Sequence, residues 1–166
     1  ALATSAGVVG GAMHIVMHAF GKITLFFCAG AIYVATHKKK VSQLHGLGRV
    51  MPLTFGAFAV GAVSVIGLPP TGGSWSKFLL ATGAVAAEQP VLVGVLMLSS
   101  LLNIVYLMDI VAKAFFLPPT EDLVAAGYKE ASWLTLGPPL FTAAGCVALF
   151  FLVGPLYDLL RPLVEV

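Results

Sequence analysis

Gly67-Leu68-Pro69-Pro70-Thr71-Gly72-Gly73 cuts through an otherwise apolar stretch that begins at Met51 and ends near Ala87. Before the cut, Pro52 suits the first turn of a helix that runs to Ile66. Two prolines and three glycines cannot continue a regular helix. After the cut, Ser74-Trp75-Ser76-Lys77 starts a second helical run, and Ser74 is the predicted cap. At about 1.5 Å per residue, neither 51–66 nor 74–87 easily spans a ~30 Å hydrocarbon core, while the two joined do. The favoured reading is one discontinuous crossing rather than two short ones. Irregular backbone at that depth is tolerated only where protein or a water cavity surrounds it. Transporters place ion sites at breaks of this kind.

Composition agrees with a membrane setting. The chain has 166 residues, is 59% hydrophobic and 10% charged, and has a mean hydropathy of +1.00. Soluble domains carry about 25% charged residues, so too few charges are present to cover a soluble surface. There is room for four or five helices of about 20 residues. The apolar runs do not alternate in short segments as barrel strands would. The predicted class is an all-α integral membrane protein with about four crossings, one of them discontinuous, and a short interfacial tail.

The expected helices are 6–36, 51–66 plus 74–87, 91–116 and 132–153, forming one unit over 1–166. Gly7, Gly10, Gly11, Gly21 and Gly30 in the first would let neighbouring helices approach closely. It ends at the basic stop His37-Lys38-Lys39-Lys40. Residues 120–131 read as a polar loop, and Pro138-Pro139 as a kink near the start of the last crossing. From Pro155 onward, Tyr157, Asp158 and Arg161 suit an interface. Trp133, Tyr128 and Tyr157 sit near predicted segment ends, where aromatic residues collect. The loop 37–49 holds Lys38, Lys39, Lys40 and Arg49 without an acid, so the positive-inside rule places it in the cytoplasm. The start, Ala1-Leu2-Ala3-Thr4, lacks an initiator Met and any signal pattern, which suggests a piece of a longer polypeptide.

Several function classes fall away. A net charge of +2 without interleaved aromatics does not suit nucleic acid. Thr71-Gly72-Gly73 lacks the lysine spacing of a phosphate-binding loop. Cys28 and Cys146 lie in apolar helical stretches and read as small core residues, with no metal-site spacing. No cofactor is expected.

The chemistry concentrates on a few ionisable groups. His14, His18 and Lys22 recur at i, i+4 and i+8, on one helix face. A charge near the bilayer centre costs roughly 2.5–3.5 kcal/mol on insertion scales, so three such groups on one face suggest a proton relay. Histidine titrates near neutral pH without help. A zinc pair of histidines and plain polar glue between helices are the rival readings. Lys77 follows the break by one turn, where it reads as an ion switch or, more plainly, as a lysine snorkelling to an interface. Asp109 and Lys113, at i and i+4, suit an intrahelical ion pair, and a proton entrance is the sharper alternative.

His14-Ile15-Val16-Met17-His18-Ala19-Phe20-Gly21-Lys22, with Leu25-Phe26 and Ala29-Gly30-Ala31-Ile32-Tyr33, resembles the His-x-x-x-His-Ala-x-x-Lys helix of the proton-antiporter-like membrane subunits. Leu44 to Pro52 and Gly67-Leu68-Pro69-Pro70 through Lys77 continue the likeness. This family includes Mrp-type multisubunit cation/proton antiporters and the pumping subunits of respiratory complex I and membrane hydrogenases. Leu98-Ser99-Ser100-Leu101-Leu102-Asn103, Tyr106 and Ala114-Phe115-Phe116 are similar to the D-type component of the Mrp antiporters.

The resemblance implies a multi-pass subunit of the cell membrane that exchanges protons for Na⁺ or another monovalent cation. It implies other membrane subunits as partners, no cofactor, and a further N-terminal repeat with its own lysine and glutamate. Lys77 would be the lysine of the discontinuous helix, and Lys22, His14 and His18 the relay along the membrane's middle. The alternative is a pumping subunit of a redox-driven quinone reductase or hydrogenase. Ser74 departs from the family's usual Phe, and Asp109 stands where several relatives carry Arg.

Overall fold

A computed structural model describes residues 3–119, 127 and 129–164. The expectations for 120–126 and for Tyr128 lie outside the described residues. The described residues form helices α1 (Ser5–Thr36), α2 (Leu47–Val50), α3 (Pro52–Ile66), α4 (Gly73–Ala86), α5 (Pro90–Phe116), α6 (Trp133–Phe151) and α7 (Val153–Leu160). Single 3₁₀ turns lie at Val41–Gln43 and Arg161–Val164. Helices α1, α5 and α6 are long and apolar enough to cross a membrane, and α3 is a shorter apolar helix.

The long helix α1 organises the bundle. Thr4 caps it through its hydroxyl, and His37 ends it in the left-handed conformation. The first half of α1 packs on α4: a methyl group on Gly10 would meet Leu79 Cβ at 2.9 Å, and Thr4 Oγ1 donates to the Gly83 carbonyl at 3.1 Å. The second half packs on α3, with Gly21 against Val65 and Gly61 against Thr24. Partner numbers fall from 83 to 61 as α1 runs from Thr4 to Thr24. Helices α3 and α4 therefore lie end to end, antiparallel to α1, as the two halves of one discontinuous crossing.

Helix α5 flanks this crossing on another side. Lys77 on α4 reaches Ser100, while Leu107 packs with Phe58 and Val65, and Ala114 with Leu47 and Phe55. The rest of α5 is largely exposed. Helix α6 closes the bundle against α1 and α3. It runs through Pro138 and Pro139 without interruption, and Thr142 Oγ1 donates toward both proline carbonyls, at 3.1 and 3.2 Å. Cys28 and Cys146 are free thiols in the core. In the tail, Leu156, Leu160 and Val164 pack on Val9, Met13 and Met17 of α1.

The cap expected at Ser74 is corrected. Helix α4 starts at Gly73, with Gly72 in the cap position and no side-chain cap. Ser74 is already inside the first turn, and its hydroxyl donates back to the Thr71 carbonyl at 2.8 Å. The chain turns one residue earlier because the Ser74 and Trp75 amides close onto Thr71 and Gly72.

Candidate functional site

The break between α3 and α4 leaves little backbone unsatisfied. The Gly67 and Leu68 amides both donate to the Val63 carbonyl, Thr71 to Leu68, and Gly72 across to Cys146 of α6 at 2.9 Å. Pro69 and Pro70 have no N–H to place. Each amide from Gly67 to Gly72 thus finds an acceptor in protein, which is the condition for irregular backbone at membrane depth. Thr71, Gly72 and Gly73 are buried, whereas Leu68, Pro69 and Pro70 form an exposed outer edge.

Two glycines make the geometry. Gly67 ends α3 at φ +90, a left-handed conformation that side chains resist, and a Cβ there would meet Lys77 Cδ at 2.6 Å. A Cβ on Gly73 would collide with the Ser64 carbonyl oxygen. Only with both positions bare can α4 start against the end of α3 with the lysine lying across the gap.

Lys77 fills that gap. Its Nζ donates to the Ile66 carbonyl at 2.8 Å and to Ser100 Oγ at 2.7 Å. Ile66 is the last residue of α3, so its carbonyl is one of the orphan acceptors at a helix C-terminus. A cation there also complements the helix dipole. The lysine is half-buried and held by both acceptors. A cavity of about 320 Å³ between α4 and α5 opens beside it, lined by Gly67, Ser74 and Ser100 as well as apolar Met97 and Ile104. Most of its lining is apolar, and Lys77, Ser74 and Ser100 supply its polar side chains.

His14 of α1 meets α4 at the position next to Lys77. Its Nδ1 lies 2.9 Å from Ser76 Oγ, next in sequence to Lys77. Ser76 Oγ also lies 3.1 Å from the Gly73 carbonyl, and which partner of the His14–Ser76 pair donates follows the histidine tautomer. The His14 and His18 ring centroids are 5.3 Å apart. His14, His18 and Lys22 are all half-buried, one position round the helix from the buried seam Met13, Met17 and Gly21. Among the described residues Lys22 has no hydrogen-bond partner. The structure therefore brings Lys77, Ser76 and His14 together and leaves Lys22 on the rim.

Asp109 and Lys113 form the expected ion pair at 2.6 Å, both partly exposed on α5 and away from the break. One acid escaped the sequence reading. Glu130 caps α3 from a distant segment: one carboxylate oxygen accepts the Leu53 amide at 2.8 Å, and the other accepts the Thr54 hydroxyl. The two ends of α3 thus carry a carboxylate at the N-terminus and a lysine at the C-terminus, both matched to its dipole. A signal was present, since Met51-Pro52 offers no local side-chain acceptor for the first α3 amides.

A buried polar cluster lies between α1, α3 and α6. Thr24 Oγ1 donates within α1 to Phe20 and lies 2.9 Å from Thr142 Oγ1, with Cys146 Sγ at 3.8 Å. Ser64 Oγ is buried close by without a hydrogen-bond partner in the described residues.

Several known proteins are similar to this chain. It is 43% identical over 106 residues to NADH-quinone oxidoreductase subunit N of Desulforudis audaxviator, covering 64% of this chain and 21% of the relative. It is 30% identical over 128 residues to F(420)H(2) dehydrogenase subunit N of Methanosarcina mazei, covering 72% of this chain and 26% of that protein. Among solved structures, the Mrp complex from Dietzia sp. matches with a TM-score of 0.87 at 22% identity, over 96% of this chain and 38% of the other. Respiratory complex I from Thermus thermophilus matches with a TM-score of 0.74 at 22% identity, over 96% of this chain and 35% of the other. The chain thus spans about a quarter or less of these curated relatives, and the two structural likenesses show a shared fold. The sequence profile of the NADH:quinone oxidoreductase/Mrp antiporter transmembrane family matches residues 1–103, well over half of the chain, and the protein is a multi-pass membrane member of that family.

Proposed function

We propose that this chain is the C-terminal part of a subunit of a multisubunit monovalent cation/proton antiporter, and that protons move through it along Lys77, His14, His18 and Lys22. The observation that carries the reading is the seat of Lys77 at the helix break. That seat suits both protonation states. As an ammonium, Lys77 donates to the Ile66 carbonyl and to Ser100 Oγ. As an amine it still donates to Ile66, while the Ser100 hydroxyl reverses and donates to the nitrogen. A proton can therefore leave and return without stranding the Ile66 carbonyl.

The histidines continue the path on α1. His14 meets Ser76, and His18 and Lys22 follow at successive turns of α1. Waters in the cavity beside Lys77 would connect it to the outside of the bundle. Asp109 and Lys113 serve as a structural pair in this scheme. Sodium as the coupling ion, other membrane subunits as partners, the plasma membrane as the location and a cytoplasmic loop 37–49 belong to the same proposal. The likeness of fold to the Mrp complex supports other membrane subunits as partners, and the basic residues of loop 37–49 support its cytoplasmic side. The identity to a quinone oxidoreductase subunit N favours a second reading, a non-redox pumping subunit of a redox-driven complex.

The test is flux in proteoliposomes that hold the full-length, assembled complex. The antiporter reading predicts proton movement when a Na⁺ or K⁺ gradient is imposed with no electron donor present. Flux that appears only with a reduced electron donor and a quinone would transfer the protein to the second reading.

A further inference from the structure

The turn after α1 carries a concentrated positive charge that the transport scheme does not use. Lys38, Lys39 and Lys40 are consecutive, and no acid occurs from His37 to Met51. The turn is built rather than loose: Gln43 Oε1 accepts the Lys39 and Lys40 amides at 3.2 and 3.1 Å, and the 3₁₀ turn Val41–Gln43 closes it. Lys39 Nζ lies 5.2 Å from the centre of the Tyr33 ring, and Tyr33 meets His37 edge-on at 5.7 Å. Tyr33 is 42% exposed and Val34 64% exposed, so the charge continues directly from an apolar outward face of α1. Val41, 40% exposed, sets an apolar side chain among the lysines.

We infer that this turn is a docking surface for anionic phospholipid headgroups. Lys39 and Lys40, both exposed at the end of a crossing helix, meet phosphates at the headgroup level, and basic clusters of this kind attract anionic leaflets. Tyrosine at the same level is an interfacial anchor, here stacked under the Lys39 ammonium. Val41 enters the acyl boundary between the lysine stems, which bury their methylenes as they reach outward. Gln43 fixes the backbone beforehand, so little ordering remains to oppose binding. A soluble acidic segment would gain from the charge but not from the apolar face that continues along α1.

The experiment uses the full-length protein in its assembled complex, solubilised in neutral detergent and titrated with phosphatidylglycerol or phosphatidylcholine. Bound lipids are counted by native mass spectrometry. Each lysine near an anionic surface changes affinity by about fivefold. The double variant Lys39→Gln, Lys40→Gln should therefore bind phosphatidylglycerol about 25-fold more weakly, with phosphatidylcholine binding unchanged. Arginine at both positions should retain the binding. An unchanged phosphatidylglycerol affinity in the glutamine variant would overturn the proposal. So would a zero-length carbodiimide cross-link from Lys39 to another subunit's carboxylate in the native complex, which would assign the turn to a protein partner.

Discussion

Lys77 and Lys22 belong to one bundle, yet their surroundings differ. Lys77 has both of its acceptors from its own chain, one on α3 and one on α5. Lys22 lies half-buried beside the α1 seam, without a hydrogen-bond partner among the described residues. The same residue type thus plays two structural parts. Lys77 closes a helix end as well as carrying charge, whereas Lys22 only carries charge, on a face that this chain leaves open. A change at Lys77 should therefore register in both stability and transport, and a change at Lys22 in transport alone.

The largest effect is expected from Lys77→Ala. Proton-coupled flux in the assembled complex should fall to background, with subunit assembly retained. Thermal stability should also drop, because leaving a buried acceptor unpaired costs about 1–3 kcal/mol. Lys22→Ala should abolish flux as well, but with no matching loss in thermal unfolding. A stability loss equal to that of Lys77→Ala would erase the contrast.

Next in size is Gly67→Ala. A Cβ at φ +90 adds roughly 1–3 kcal/mol of backbone strain and presses on Lys77 Cδ. Flux should fall about tenfold or more, since each ~1.4 kcal/mol added to the barrier is a factor of ten. Ser100→Ala removes one acceptor of Lys77 and leaves Ile66 paired, so a several-fold loss is expected, in line with a net hydrogen bond of about 1 kcal/mol. Ser100→Thr should recover most of it. The smallest effect belongs to Asp109→Asn. An i, i+4 pair on an exposed helix face contributes about 0.3–0.5 kcal/mol, so flux should stay near wild type. A large loss of flux would make Asp109 part of the proton entrance.

The broken crossing was legible in the sequence because prolines and glycines leave a helix no way to continue from Gly67 to Gly73. The relay candidates were legible because ionisable groups stand out against an apolar background. The partners of Lys77 were not. Ile66 contributes a backbone carbonyl, which no residue type announces, and Ser100 is one of two adjacent serines in a helix of ordinary polarity. Ser74 misled because serine before a helix usually caps it, whereas here the chain turned one residue sooner. Glu130 escaped because its partners, Leu53 and Thr54, lie far away in sequence. The uncapped Met51-Pro52 start was the physical hint that some remote acceptor had to serve them.

The proposed relay requires Lys77 to be tethered at the break, within the hydrocarbon layer. An experimental density map of the full-length complex in a lipid nanodisc measures this directly. The Lys77 nitrogen should lie within hydrogen-bond reach of the Ile66 carbonyl and Ser100, near the middle of the bilayer. A lysine side chain extended to the headgroups, with Ile66 bonded elsewhere, would contradict the relay.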